Sequence, residues 1–136
     1  MLSYEDPGRA ADWIVSAFGF RERERFTDDD GTVGHVVMEL DGDEFHLGYP
    51  SQHYQSPRHH AEVCEQAQRW SESPYIVDGV LVYVGDIAAH FERAKAAGAR
   101  ILTELEDNPG IDQRQYRAED LEGHRWMFAQ SVGESR

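Results

Sequence analysis

An internal repeat is the feature that most constrains the fold of this 136-residue chain. Asp6 precedes an apolar helical stripe that ends at Gly19, and Asp86, 80 residues later, precedes a second stripe that ends at Gly98. Asp is a favoured N-cap, and Gly readily adopts the left-handed conformation that closes a helix. The two stripes follow the spacing of one helix face and consist of Ala10, Trp13, Ile14, Ala17 and Phe18, and of Ile87, His90, Phe91, Ala94 and Ala97. The repeat therefore predicts helices over residues 7–18 and 87–97.

Short strand-like runs surround both predicted helices. Residues 1–4 and 80–84 precede the helices, and three runs follow each helix, at 20–27, 32–40 and 44–49 and at 100–105, 114–119 and 124–130. Asp41-Gly42 between two alternating runs is a strong hairpin signal, and residues 120–123 form the predicted last turn. The predicted order is a βαβββ module over 1–49, a linker over 50–77 with a short helix at 61–70, and a second βαβββ module over 78–132. All three parts belong to one predicted structural domain.

Charge and composition limit the expected partners. The chain has 26 Asp and Glu against 13 Lys and Arg, a net charge of −13. Such a surface repels phosphate backbones and anionic lipids, so we expect neither nucleic acid nor a membrane as a partner. It favours a cationic small molecule, although solubility alone also explains the charge. Because the chain has no secretory leader and no membrane-length apolar run, the sequence predicts a cytoplasmic protein.

Three motifs carry a resemblance to a known family. They are Tyr4-x-Asp6 … Phe18-Gly19-Phe20, Tyr83-Val84-x-Asp86 … Ala97-Gly98-Ala99, and Asp120-x-x-Gly123-His124-Arg125-Trp126. In this order and spacing, the chain resembles the vicinal oxygen chelate superfamily, which includes glyoxalase I, bleomycin-resistance proteins, fosfomycin-resistance enzymes and extradiol dioxygenases. The last motif is most similar to the branch with the bleomycin-resistance homologues, with Leu121 where proline is usual. The resemblance implies an α+β fold in which tandem βαβββ modules form U-shaped sheets around a cleft.

The resemblance also implies where a metal would be bound. Enzymes of the family hold a divalent metal with His and Glu side chains from the first and last strands of each module. The corresponding positions are Gly79 and Met127 in the second module, His46 in the first, and a position upstream of Met1. Only His46 offers a ligand side chain, so we expect no cofactor, with a divalent metal as the alternative.

The Asp41-Gly42 turn predicts which side chains of the first module line the cavity. Residue 39 then faces residue 44, and residue 37 faces residue 46, so one sheet face carries Val37 with the polar side chains His35, Glu39, Glu44 and His46. We predict that His35, Glu39 and His46, together with Arg125 of the last strand, orient the polar groups of a ligand. Two alternatives remain open: a displaced metal site with His46 and Glu44 as candidates, or a solvated sheet face with ordinary hydrogen bonds.

Alternation in the second module predicts an opposing, mainly apolar wall. It places Trp126 and Phe128 under the helix, and it assigns to the cavity Leu81, Tyr83, Tyr116, Arg125 and Met127. Apolar and aromatic surface with a few polar groups is typical of a small-molecule pocket. The alternative is that these side chains fill a core.

Three functions are compatible with these features. The first is a non-catalytic protein that sequesters an aromatic antibiotic or metabolite, as the resemblance to metal-free bleomycin-resistance proteins implies. The second is a metal-dependent lyase, isomerase or dioxygenase, and the third is a ligand-sensing accessory subunit. We predict the first, with no catalytic residue assigned, and we leave enzymatic activity open. The expected partners are a small aromatic ligand, neutral or cationic, and a second copy of the chain, because the resemblance implies a homodimer.

Overall fold

The computed structural model describes residues 1–74, 79–108 and 110–131, and it contains the predicted repeat. The first module consists of β1 (Leu2–Ser3), α1 (Pro7–Phe18), β2 (Arg21–Thr27), β3 (Val33–Leu40) and β4 (Asp43–Gly48). The second consists of β5 (Gly79–Tyr83), α4 (Ile87–Ala96), β6 (Arg100–Asn108), β7 (Gln113–Glu119) and β8 (Arg125–Ser131). The predicted α+β fold with tandem βαβββ modules is confirmed.

Both long helices begin at the predicted residue; α1 ends at Phe18 as predicted, whereas α4 ends at Ala96, one residue before the predicted end. The carboxylates of Asp6 and Asp86 accept hydrogen bonds from the backbone N–H three residues later, each at 3.1 Å. Gly19 follows α1 with a φ of 76°, a left-handed conformation that favours glycine. The apolar stripe of α1 faces the core, where Ile14, Ala17 and Phe18 are fully buried.

The two sheets have the same topology, which is the structural form of the repeat. Their strand orders are β1-β4-β3-β2 and β5-β8-β7-β6. In each sheet the first and last strands of the module pair in parallel, and the remaining pairs are antiparallel. Neither sheet closes on itself. Within the described residues, no helix is long and apolar enough to span a bilayer.

A single core joins the two modules through the helix-side faces of their sheets. The Trp126 ring from β8 lies 5.6 Å from the Phe20 ring and 5.3 Å from the Phe45 ring of the first module, measured between centroids. The Phe18 ring at the end of α1 lies 5.3 Å from Trp126, and α1 also contacts α4. Because these faces meet in the core, the other faces of the two sheets point away from each other. The predicted cavity between both modules of one chain is therefore wrong, since its two walls lie on opposite sides of the molecule.

The linker contains two short helices instead of the one predicted at 61–70. These are α2 (Pro57–Val63) and α3 (Glu65–Ser71), separated by Cys64 in an extended conformation. The linker contacts the second module closely at Gly123, where an added Cβ would lie 2.7 Å from the Arg58 nitrogen. The prediction missed the break because the helical periodicity of residues 61–70 continues across Cys64.

The last hairpin differs from the prediction by one residue. Glu119 pairs with Arg125, so the connecting loop spans residues 120–124 rather than 120–123. The Asp120 carboxylate sets this length, because one of its oxygens accepts from the backbone N–H groups of Glu122 and His124, each at 3.0 Å. A shift of one residue moves every side chain of a strand to the opposite face. The predicted phase of β7 is therefore wrong.

Candidate functional site

A polar pocket lies on the outward face of the first sheet. It has a volume of about 460 Å³ and is lined by Arg23, Glu24, Phe26, His35, Val37, Glu44 and His46. The pairing of β3 with β4 agrees with the prediction, with Val37 opposite His46 and Glu39 opposite Glu44. The structure thus brings His35, Glu44 and His46 together, as predicted. We call this pocket the first-module pocket.

Hydrogen bonds connect four side chains of this pocket into a chain. Arg23 forms an ion pair with one oxygen of Glu44. The other Glu44 oxygen lies 3.3 Å from Nε2 of His46, and Nδ1 of His46 lies 2.7 Å from Nε2 of His35. The His35 ring also meets the Phe26 ring edge-on at 5.6 Å between centroids. Three strands therefore fix the orientation of His35.

Sequence reasoning missed Phe26 and Arg23 as members of the pocket. No face was predicted for β2, and a register shift between Glu22 and Glu24 interrupts the alternation of that edge strand. Phe26 remains 49% exposed although it is a large apolar side chain. Glu39, a predicted ligand contact, does not line the pocket and forms an ion pair with Arg21 instead.

The outward face of the second sheet carries a separate apolar surface. Leu81 pairs with Met127 and Tyr83 pairs with Ala129, so Leu81, Tyr83 and Met127 share this face. Leu81 is 51% exposed and Tyr83 is 57% exposed. We call these three residues the second-module surface. Its strand phase agrees with the prediction for β5 and β8.

Tyr116 lies in the core, which corrects its predicted place on the apolar wall. The longer last loop pairs Tyr116 with Phe128, on the face covered by α4. Its hydroxyl donates to Nδ1 of His90 at 2.6 Å, while Nε2 of His90 donates to the Phe18 carbonyl at 2.9 Å. Burial raises the pKa of Tyr116 and lowers the pKa of His90, because it disfavours the charged form of each group. Tyr116 is therefore a core residue.

Arg125 anchors the linker, which corrects its predicted role in orienting a ligand. Its guanidinium forms a buried ion pair with Glu119 at 3.0 Å and donates to the carbonyl oxygens of Ser71 at 2.6 Å and of Ser73. These contacts hold the end of α3 against the outward face of the second sheet. A cavity of about 650 Å³ remains between the linker helices and the sheet, with Trp70 and Arg100 on its lining.

The residues present do not fit the metal site of the family's enzymes. Across the described ranges, no three His, Cys, Asp or Glu side chains are grouped so that they could hold a metal ion. The bonded nitrogens of His35 and His46 are 2.7 Å apart, whereas two nitrogens on one tetrahedral zinc ion would be about 3.4 Å apart. In the second module, an added Cβ at Gly79 would lie 3.2 Å from the Arg125 carbonyl oxygen. No side chain reaches a metal from that position.

Comparison with known proteins assigns the chain to a class. The sequence profile of the Glyoxalase/Bleomycin resistance protein/Dioxygenase superfamily matches residues 1–128, so the chain belongs to this superfamily. This confirms the resemblance inferred from the three motifs.

Individual relatives agree with this assignment. The chain is similar to TioX from Micromonospora sp. ML1, with 33% identity and a TM-score of 0.70 over 99% of this chain and 95% of that one. It is 29% identical to the uncharacterized protein Rv0887c of Mycobacterium tuberculosis over 98% of this chain and 73% of the relative. The fosfomycin resistance protein FosX from Listeria monocytogenes, with 10% identity and a TM-score of 0.63 over 97% of this chain and 89% of that one, shares the fold.

Proposed function

We propose that this protein binds a small, flat aromatic molecule without a metal and sequesters it without transforming it. The observation that carries the proposal is the pair Leu81 and Tyr83, which are 51% and 57% exposed side by side on a sheet face. Large apolar side chains at this exposure are available for a ligand or for a second protein surface. Aromatic faces stack on planar rings and attract cations.

A second copy of the chain would complete the binding site. The first-module pocket and the second-module surface lie on opposite sides of one chain, so they do not enclose a ligand by themselves. In a twofold dimer, the first sheet of one copy faces the second sheet of its partner, and the reverse contact forms at the same time. Each dimer then has two equivalent grooves, each with an apolar wall from one copy and a polar wall from the other.

The charge of the chain and the names of its family favour the same ligand class. A net charge of −13 attracts a cationic aromatic molecule. The superfamily name includes bleomycin resistance. We therefore propose an antibiotic or an aromatic metabolite as the ligand.

The binding experiment uses proflavine, a flat cationic dye, and protein that has been treated with a chelator. We expect saturable binding of one dye per chain, and we expect Tyr83→Ala to weaken it by about 1–3 kcal/mol because a buried aromatic contact is lost. Val63→Ala is the matched control, because Val63 is an exposed apolar residue on α2, away from both walls. Binding that requires an added divalent metal, or equal binding by Tyr83→Ala and the unmodified protein, would contradict the proposal.

A further inference from the structure

We propose that the ligand of the first-module pocket is an aromatic molecule with a hydroxyl group on its ring, and that Nδ1 of His35 accepts the hydrogen bond from that hydroxyl. The inference rests on the proposed function and adds the ligand's polar group to it. It follows from the direction of the hydrogen bonds that connect Glu44, His46 and His35.

The donor and the acceptor of each hydrogen bond can be assigned one after another, starting from Glu44. An ionised carboxylate only accepts hydrogen bonds, so the contact of 3.3 Å requires the hydrogen of His46 to be on Nε2. Arg23, which only donates, is bound to the other carboxylate oxygen and holds Glu44 in place. In a neutral imidazole with a hydrogen on Nε2, Nδ1 is an acceptor.

The same assignment then determines which nitrogen of His35 donates. Because Nδ1 of His46 accepts, Nε2 of His35 must donate across the 2.7 Å contact. The remaining nitrogen, Nδ1 of His35, is then an acceptor, and no residue in the described part of the chain donates to it. A ligand group that binds to Nδ1 of His35 must therefore be a hydrogen-bond donor.

The surroundings of His35 favour a hydroxyl on an aromatic ring. Phe26, half-exposed, and Val37, buried, provide apolar surface next to the His35 ring. The charged groups facing the pocket are already engaged or acidic: Arg23 is paired with Glu44, and Glu24 repels anions. An aromatic carboxylate is therefore disfavoured, and a neutral phenol satisfies both the apolar wall and the acceptor.

The test compares 2-naphthol with 2-methoxynaphthalene, in which a methyl group replaces the hydroxyl hydrogen and removes the donor, through the fluorescence of the naphthyl ring. We expect the unmodified protein to bind 2-naphthol about tenfold more tightly, the value of one well-formed hydrogen bond. His35→Phe removes the acceptor but keeps a flat ring, and it should bind both probes equally. His53→Phe is the matched control, because His53 is an exposed linker histidine outside the pocket, and it should keep the tenfold preference.

Glu44→Gln tests the direction of the hydrogen bonds and does not change the shape of the pocket. Arg23 would still donate, now to the amide oxygen, and the amide nitrogen would donate to Nε2 of His46, so the donor and acceptor nitrogens of His46 and His35 would exchange roles. Nδ1 of His35 would then donate, and the preference for 2-naphthol should disappear. A preference that survives in Glu44→Gln would overturn the assignment.

The outcomes for the hydroxyl and for the proposed function are distinguishable. Equal binding of both probes to the unmodified protein, with weakening by Tyr83→Ala, would overturn the hydroxyl inference and leave the aromatic site intact. Binding of neither probe by protein that still binds proflavine would overturn the hydroxyl inference alone, and failure to bind proflavine as well would overturn both. Tighter binding of 2-naphthoate than of 2-naphthol would also overturn the inference, because it would require a donor at His35.

Discussion

Replacing Arg125 by Met should destabilise the protein through the charge that it leaves behind. The Arg125 and Glu119 side chains are only 5% and 6% exposed. Removing one partner of a buried ion pair costs about 3–5 kcal/mol, because the other charge stays buried without compensation. Arg100, which is mostly exposed, contacts the second Glu119 oxygen at 3.4 Å and offsets part of this cost. We therefore expect a loss of about 3 kcal/mol in the free energy of unfolding.

Urea unfolding followed by circular dichroism measures this loss. A change of that size should lower the urea midpoint by about 1–3 M for a domain of this size. Arg100→Met is the matched control, because it removes the exposed partner of the same carboxylate and should cost less than about 1 kcal/mol. Changing Glu119 to Gln in the Arg125→Met background should recover stability, since it removes the uncompensated charge. A loss below about 0.5 kcal/mol in Arg125→Met, within the range of ordinary surface substitutions, would refute the anchoring role of Arg125.

Three further predictions follow from the core and from the second-module surface. Burial lowers the pKa of His90, so below the unfolded pKa of about 6.5 the unfolded chain binds more protons than the folded protein. The free energy of unfolding should therefore decrease as the pH falls from about 6.5 to about 5. His90→Gln should reduce this decrease, as measured by urea unfolding at both pH values. Tyr116→Phe removes the hydroxyl that donates to His90 and should lower the free energy of unfolding in urea by about 1–2 kcal/mol. Weaker proflavine binding without this loss of stability would indicate that Tyr116 contacts the ligand. Met127→Glu should not create a tight divalent metal site, because Leu81 lies opposite and Gly79 has no side chain; stoichiometric Zn²⁺ binding in a chelator competition would contradict our description of the metal positions.

Local turn chemistry explains which strand registers could be predicted. Asp41 and Gly42 have φ values of 52° and 89°, as a two-residue hairpin turn requires, so counting outward from them places His35 and His46 correctly. The last turn gives no such count, because the Asp120 side chain closes a loop of five residues through its own hydrogen bonds. The two-residue alternation therefore assigned the correct faces to the side chains of β3 and β4, but it assigned Tyr116 to the wrong face.

The relation between the two modules could not be predicted from alternation. The pattern indicates which side chains share a face, and it correctly placed Trp126 and Phe128 under the helix. It does not indicate that this face would pack on Phe20 and Phe45 of the other module. Long-range packing decides that arrangement, and it separates the two predicted walls of the cavity.

Polar partners also changed the roles of predicted residues. Arg125 was placed on the correct face, but Glu119 and the carbonyl of Ser71 occupy its donors. Ser71 belongs to a linker whose path has no periodic signal, and Glu119 lies opposite Arg125 only because the last loop is one residue longer than predicted. Phe26 lies on β2, for which no face was predicted, and the register shift between Glu22 and Glu24 interrupts the two-residue period of that strand.

Mixing two inactive variants would test most directly whether an aromatic ligand binds between two copies of the chain. Phe26→Ala removes the aromatic side chain of one wall and Tyr83→Ala that of the other, so each variant alone should bind proflavine weakly. After unfolding together and refolding, a mixed dimer has one intact groove and one groove without either side chain. Random pairing of equal amounts should then restore about a quarter of the tight sites of the unmodified protein. No recovery in a mixture that sedimentation shows to contain mixed dimers, or full binding by either variant alone, would contradict a groove shared between two copies.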